Sequence, residues 1–140
     1  MRGRTRRLVL QALYQWQLTG DDPLDIARQF NDSDEMQRAD ADYFQELFLN
    51  CTKLQAELIA ELKEYLDRPA TQLDPIEQAI LLIGGYEFRE RLDVPFRVVI
   101  NEGVELAKKF GAEESYKYIN AVLDKAAVRY RAAEVDAASA

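Results

Sequence analysis

Four arginines, Arg2, Arg4, Arg6 and Arg7, occupy the first seven residues, MRGRTRR, with no acid among them. The chain as a whole is acidic: 18 Lys+Arg against 25 Asp+Glu give a formal charge of −7, so residues 8–140 carry −11. Guanidinium groups offer a planar fork of donors that fits phosphate. If a helix extends back to Arg4, then Arg4, Arg7, Gln11 and Tyr14 share one stripe, opposite a face of Leu8, Leu13 and Trp16. Arginines beside an exposed ring suit single-stranded nucleic acid, with phosphates on the guanidinium groups and a base stacked on the ring. The bland alternative is a solvated basic terminus. Tyr14 reads equally as a half-buried rim residue, because Leu18 lies one turn further along its stripe. Arginines at a helix N-terminus also oppose the macrodipole, a small local cost that some use must offset.

A second candidate is SYKYIN, residues 115–120. Lys117 falls on the polar side of the last helix and Tyr118 on its border, where binding and core-edge packing compete as readings; Tyr116 reads as a core-edge aromatic. Glu77 sits three residues after Asp74 at a helix start, so it reads as a capping residue that its helix could also present to a partner. Glu57, Glu61 and Glu64 recur at helical spacing and read as a solvated face, and Asn101 with Glu102 as a buried hydrogen-bonding pair. Catalytic chemistry finds little support. There is no histidine, which removes triads and imidazole acid–base steps, and the single cysteine, Cys51, cannot form an internal disulfide. Gly84-Gly85 follows no strand, so it is no phosphate loop. No metal site and no cofactor are expected.

The elements that must position these residues are helical throughout. The expected order begins with a helix ending at Gly20 and a short one started by Asp22-Pro23 and carrying Leu24, Ala27 and Phe30. NDSDEMQRADAD then reads as an exposed polar loop. From Asp40 an apolar stripe through Phe44, Leu47, Phe48, Cys51, Leu54, Leu58, Leu62 and Tyr65 predicts one long helix. Asp74-Pro75-Ile76-Glu77 opens the next, with Gly84-Gly85 inside it as a close-packing site rather than a kink. Asp93 and Pro95 open another, closed by Lys108, Lys109 and Gly111. The last, after Glu113 and Glu114, packs Ile119, Val122, Leu123, Ala126 and Tyr130. Residues 131–140 have little to bury and are expected to fray. The fold class is all-α, a single domain over 1–140 with a basic arm at 1–7. LVLQALYQWQLTG is too short and polar for a membrane span and lacks the pattern of a signal peptide, so a cytoplasmic location is expected.

LVLQALYQWQLTG, DPIEQAILLIGGYEF and above all VPFRVVINEGVELAKKFGAEESYKYINAVLDKAA resemble the NusB family of bacterial transcription antitermination factors, from about Arg4 to Ala127. The resemblance implies two small helical bundles packed together, six to seven helices in all. It implies binding to boxA RNA of ribosomal-RNA leader transcripts as a heterodimer with the ribosomal protein NusE, within an antitermination complex on RNA polymerase. By position it assigns RNA contacts to Arg2, Arg4, Arg6, Arg7, Tyr14, Lys117 and Tyr118, and a NusE contact to Glu77. It also implies that the free protein can form a homodimer through the RNA-binding face. Gly84-Gly85 departs from the family, which more often has alanine and a larger apolar residue there. Two other functions stay open: a helical protein–protein adaptor that leaves RNA alone, and the NusB-like domain of a ribosomal-RNA methyltransferase.

Overall fold

Thr5, a polar residue with no exposure between two arginines, shows how the chain begins. Its hydroxyl donates to the Met1 carbonyl and accepts from the Asp40 amide, both at 2.9 Å. The computed structural model describes residues 1–139; residue 140, the last of the tail expected to fray, lies outside them. Eight α-helices and no strand occur among the described residues: the class is all-α, as the periodicity predicts, while the count exceeds the six to seven expected because the third expected helix is split and the tail is helical. The chain divides into two compact units, Met1–Gln55 and the residues from Ala56 onward. Among the described residues no helix is long and apolar enough to cross a membrane.

The first unit contains α1 (Arg2–Thr19), α2 (Pro23–Asn31) and α3 (Ala41–Lys53). Leu8, Val9, Ala12 and Leu13 of α1 meet Ile26 and Ala27 of α2 and Phe44, Leu47, Phe48 and Cys51 of α3 in a closed core. The rings of Phe30, Phe44 and Phe48 stack in series, with centroids 5.6 and 5.7 Å apart. Burying each such side chain is worth roughly 1.5–3 kcal/mol, so these rings are a main source of the unit's stability. Gly20 ends α1 in the left-handed conformation, φ 69°, and its amide donates to the Trp16 carbonyl. Asp22 caps α2 by accepting from the Leu24 amide, with Pro23 in the first turn. The loop expected after α2 is partly ordered. Asp34–Arg38 form a short 3-10 helix, because Met36 is apolar enough to be drawn into the core.

The long helix expected from Asp40 is interrupted at Leu54, with α4 resuming over Gln55–Leu62. Neither proline nor glycine causes the break. Asn50 and Thr52 turn their side chains onto the carbonyls of Glu46 and Leu49, at 2.8 and 3.0 Å, and such local bonds compete with the helical ladder. Glu57 and Glu64 are exposed, as a solvated face requires, and Glu61 is half-buried; all three also meet cations. Arg89 reaches Glu57 at 3.3 Å and Glu61 at 2.8 Å, Arg129 reaches Glu64 at 3.7 Å, and the Tyr130 hydroxyl donates to Glu61. Burial works to raise the pKa of Glu61, but Tyr130 and Arg89 outweigh it and hold this carboxyl below its ordinary 4.5.

In the second unit α5 (Pro75–Glu90), α6 (Phe96–Phe110) and α7 (Ser115–Tyr130) surround Leu123. A Cβ on Gly84 would lie 2.9 Å from one methyl of Leu123, and a Cβ on Gly103 2.6 Å from the other. α5 runs unbroken through Gly84-Gly85, so those glycines serve close approach, as expected. Gly85 does the same for Leu62 of α4, at 3.3 Å.

Two helix ends depart from expectation. Asp93 does not cap α6; its carboxylate accepts twice from Arg91 at 2.9 Å. The Phe96 amide at the start of α6 instead donates to Glu134 at 2.8 Å. Glu134 belongs to α8 (Ala132–Ser139), part of the tail expected to fray. Arg131, only 5% exposed, donates to the carbonyls of Phe88, Glu87 and Arg91 at the end of α5 and to Glu134. A cation at a helix C-terminus and a carboxylate at an N-terminus both suit the macrodipoles, so the tail has polar partners where the apolar pattern offered none.

Two measurements test these assignments. Gly103→Ala should lower stability by about 1–3 kcal/mol through overpacking against Leu123, partly offset by roughly 1 kcal/mol of helix propensity. Gly20→Ala meets open space but keeps φ positive, and should cost about 1–2 kcal/mol on backbone grounds alone. Urea melts in which Gly103→Ala is neutral or stabilising would contradict the wedge. Glu61 supplies a pH signature: with its folded pKa depressed, its stabilisation is complete above 4.5 and is lost as pH falls through the folded value. The melting-temperature gap between wild type and Glu61→Gln should therefore be constant above about pH 5 and shrink at lower pH. A gap that stays constant at low pH would remove Glu61 as a source of charge-dependent stability.

Candidate nucleic-acid interface

The four opening arginines have separate fates. Arg6 is 2% exposed, with its guanidinium 5.9 Å from the Tyr43 ring, and Arg2 lies half-buried at 4.2 Å over the same ring. Both turn inward because Tyr43, in the first turn of α3, stands beside this side of α1. Arg6, expected to contact RNA, is packed inside the free chain, with its guanidinium directed to the Tyr43 ring. Arg4 is exposed and Arg7 half-buried, on the other side of the helix.

Arg4 and Arg7 line one groove of about 420 Å³ together with Leu8, Gln11, Asp34, Glu35, Gln37 and Arg38. Spacing along the sequence places Arg4, Arg7 and Gln11 on one stripe, and the groove realises that arrangement. Tyr14, the fourth member, is 39% exposed one turn further on. Arg38 was missed by the sequence reading. The available signal was Met36: a lone large apolar residue in a polar stretch anchors it, and so fixes the position of Arg38 two residues later.

In the second unit Lys117 is exposed and paired with Glu114, whose backbone is left-handed at φ 73°. Tyr118 is half-buried, and the Arg68 guanidinium lies 4.1 Å over its ring. Burial raises the pKa of this phenol while Arg68 opposes it. The arrangement is a cation–aromatic pair beside a surface lysine, a group able to take a phosphate and an adjoining base.

Glu77 does not face outward. It is 5% exposed and completes a capping box with Asp74, whose carboxylate accepts from the Glu77 amide at 2.7 Å. The remaining lone pairs of Glu77 accept from Ser115 at 3.1 Å and Arg68 at 3.5 Å. A carboxylate so buried needs such partners, and in the free chain they already engage the group to which the resemblance assigns a NusE contact. Asn101 is exposed and Glu102 half-buried, so they are not the buried pair that their apolar neighbours suggest.

Comparison with known proteins agrees over most of the chain. The family model described as "NusB family" matches residues 3–128. The transcription antitermination protein NusB of Marinomonas sp. (strain MWYL1) is 49% identical over 139 residues, 98% of this chain and 80% of that protein. The protein of the same name from Alcanivorax borkumensis is 50% identical over 133 residues, 95% and 89% of the two chains. Among solved structures, T. maritima NusB superposes with a TM-score of 0.78 at 25% identity, covering 89% of each chain. A crystal structure of antitermination factors NusB and NusE in complex with dsRNA gives 0.74 at 22% identity, over 89% and 93%, and so shares the fold. Identity near one half, sustained from the arginine block through α7, carries the conclusion that this chain belongs to the NusB family.

Proposed function

We propose that the protein is a transcription antitermination factor that catalyses no reaction. In this reading it binds single-stranded boxA RNA of ribosomal-RNA leader transcripts as a heterodimer with the ribosomal protein NusE, in an antitermination complex on RNA polymerase. The observation that carries the reading is the groove in which Arg4, Arg7 and Arg38 converge, one turn from an exposed tyrosine, on a chain of net charge −7. Positive charge concentrated on an acidic body draws phosphate to that place. The relatives named as antitermination proteins support the role, and a fold neighbour solved with NusE and RNA supports the partners. Lys117 and Tyr118, with Arg68 over the ring, supply a second set of contacts of the same chemistry. Arg2 and Arg6 act by holding α1 against Tyr43.

The test is titration of a boxA-type RNA in the presence of NusE at several salt concentrations. Arg4→Ala/Arg7→Ala should flatten the log–log salt slope by at most about 1.4, at roughly 0.7 per single-strand phosphate, and should leave the melting temperature near wild type. Tyr14→Ala should weaken binding by about 1–3 kcal/mol with little change of slope, because stacking releases no counterion. Arg6→Ala should lower the melting temperature before it affects RNA. If the double variant retains both wild-type affinity and slope, the groove is not the phosphate site.

A further inference from the structure

The RNA groove holds opposite charges that do not neutralise one another. Arg4, Arg7 and Arg38 line it, and so do Asp34 and Glu35, yet none of these five is engaged in an ion pair or side-chain hydrogen bond among the described residues. Their placement is enforced. The Thr5 hydroxyl, between Arg4 and Arg6, accepts from the Asp40 amide at 2.9 Å, tying the end of the 34–38 segment to the turn of α1 that carries the arginines. Met36 fixes the middle of the segment in the core, and the Ser33 hydroxyl donates to the Phe30 carbonyl at 2.7 Å at its start. Asp34 and Glu35 are exposed on this tethered segment.

A groove meant only for phosphate gains nothing from carboxylates, which would repel it. Guanidinium groups are donors only and ionised carboxylates acceptors only. A ligand that satisfies both must carry negative charge at one end and N–H donors at the other. A nucleotide does so when its base bears an exocyclic amino group, as adenine, cytosine and guanine do and uracil does not. Carboxylates accepting from such an amino group are an established form of base-edge recognition.

Resting on the RNA reading above, the geometry points to Asp34 and Glu35 as specificity-determining residues. The groove seats one nucleotide with its phosphate on Arg4, Arg7 or Arg38, and the carboxylates accept from the amino group of its base. Uracil at that place is disfavoured because it presents carbonyl oxygens to the acids. The acids thus lower affinity for phosphate in general and restore it for the right base.

The experiment uses the full chain with NusE and a boxA-type RNA. One nucleotide at a time loses its exocyclic amine: purine riboside replaces adenosine, inosine replaces guanosine, and uridine replaces cytidine. At one position the wild type should lose roughly 10- to 100-fold in affinity. Asp34→Ala/Glu35→Ala, with melting temperature checked against wild type, should erase that difference and bind the amine-free RNA at least as tightly as wild type does. Tighter binding of every RNA by one common factor would overturn the proposal, since the acids would then be repelling phosphate alone. A wild type indifferent to every amine overturns it too. A wild type that binds none of these RNAs overturns the RNA reading itself, which is a separate outcome.

Discussion

Leu123 has room only because two helices withhold their side chains from it. Gly84 of α5 and Gly103 of α6 open the notches into which its two methyls fit, and any Cβ at either place would collide with them. That steric condition sets the position of α7 against α5 and α6, and both ends of α7 carry consequences. At its start Ser115 reaches the buried Glu77, and Lys117 and Tyr118 come to stand beside Arg68. At its end Tyr130 meets Glu61 of α4, Arg129 meets Glu64 just beyond it, and Arg131 reaches the last carbonyls of α5. Two side chains' worth of missing volume therefore fixes features a whole helix length apart.

What the sequence made legible was local. Asp22-Pro23 and the Asp74–Glu77 box are helix starts whose signals lie within four residues, and both are realised with the expected bonds. The stripe of Arg4, Arg7 and Gln11 follows from helical period alone. What stayed hidden depends on residues distant in the chain. Nothing near Arg6 says that Tyr43 will stand beside it, so four similar arginines could not be sorted into two that pack and two that face the groove. Nothing near Phe96 announces a cap supplied by Glu134. A tail poor in apolar residues reads as loose, yet polar caps rather than apolar area tie it down. Glu77 shows both sides: its capping signal lies within four residues and is realised, whereas its bond to Ser115 joins it to a residue far along the chain.

Charge is distributed with similar economy. Arg89 is matched by Glu61, Arg129 by Glu64, and Arg131 is taken up by carbonyls and Glu134. Among the described residues Arg4, Arg7 and Arg38 have no such partner, so they can act on a ligand. An acidic protein gains selectivity from this arrangement, because its surface elsewhere discourages indiscriminate contact with polyanions.

The double cap made by Arg131 and Glu134 also has a consequence for the order of events during synthesis. The residues that finish α5 and α6 are made after both helices have left the peptidyl-transferase centre. Until then the Phe88 carbonyl of α5 and the Phe96 amide of α6 lack these partners and are satisfied only by water. Vectorial folding of the second unit can therefore proceed as far as apolar collapse around Leu123, but its helix ends close only when the following helix has emerged. A ribosome stalled within α7 would hold a nascent chain whose polar termini remain accessible to chaperones.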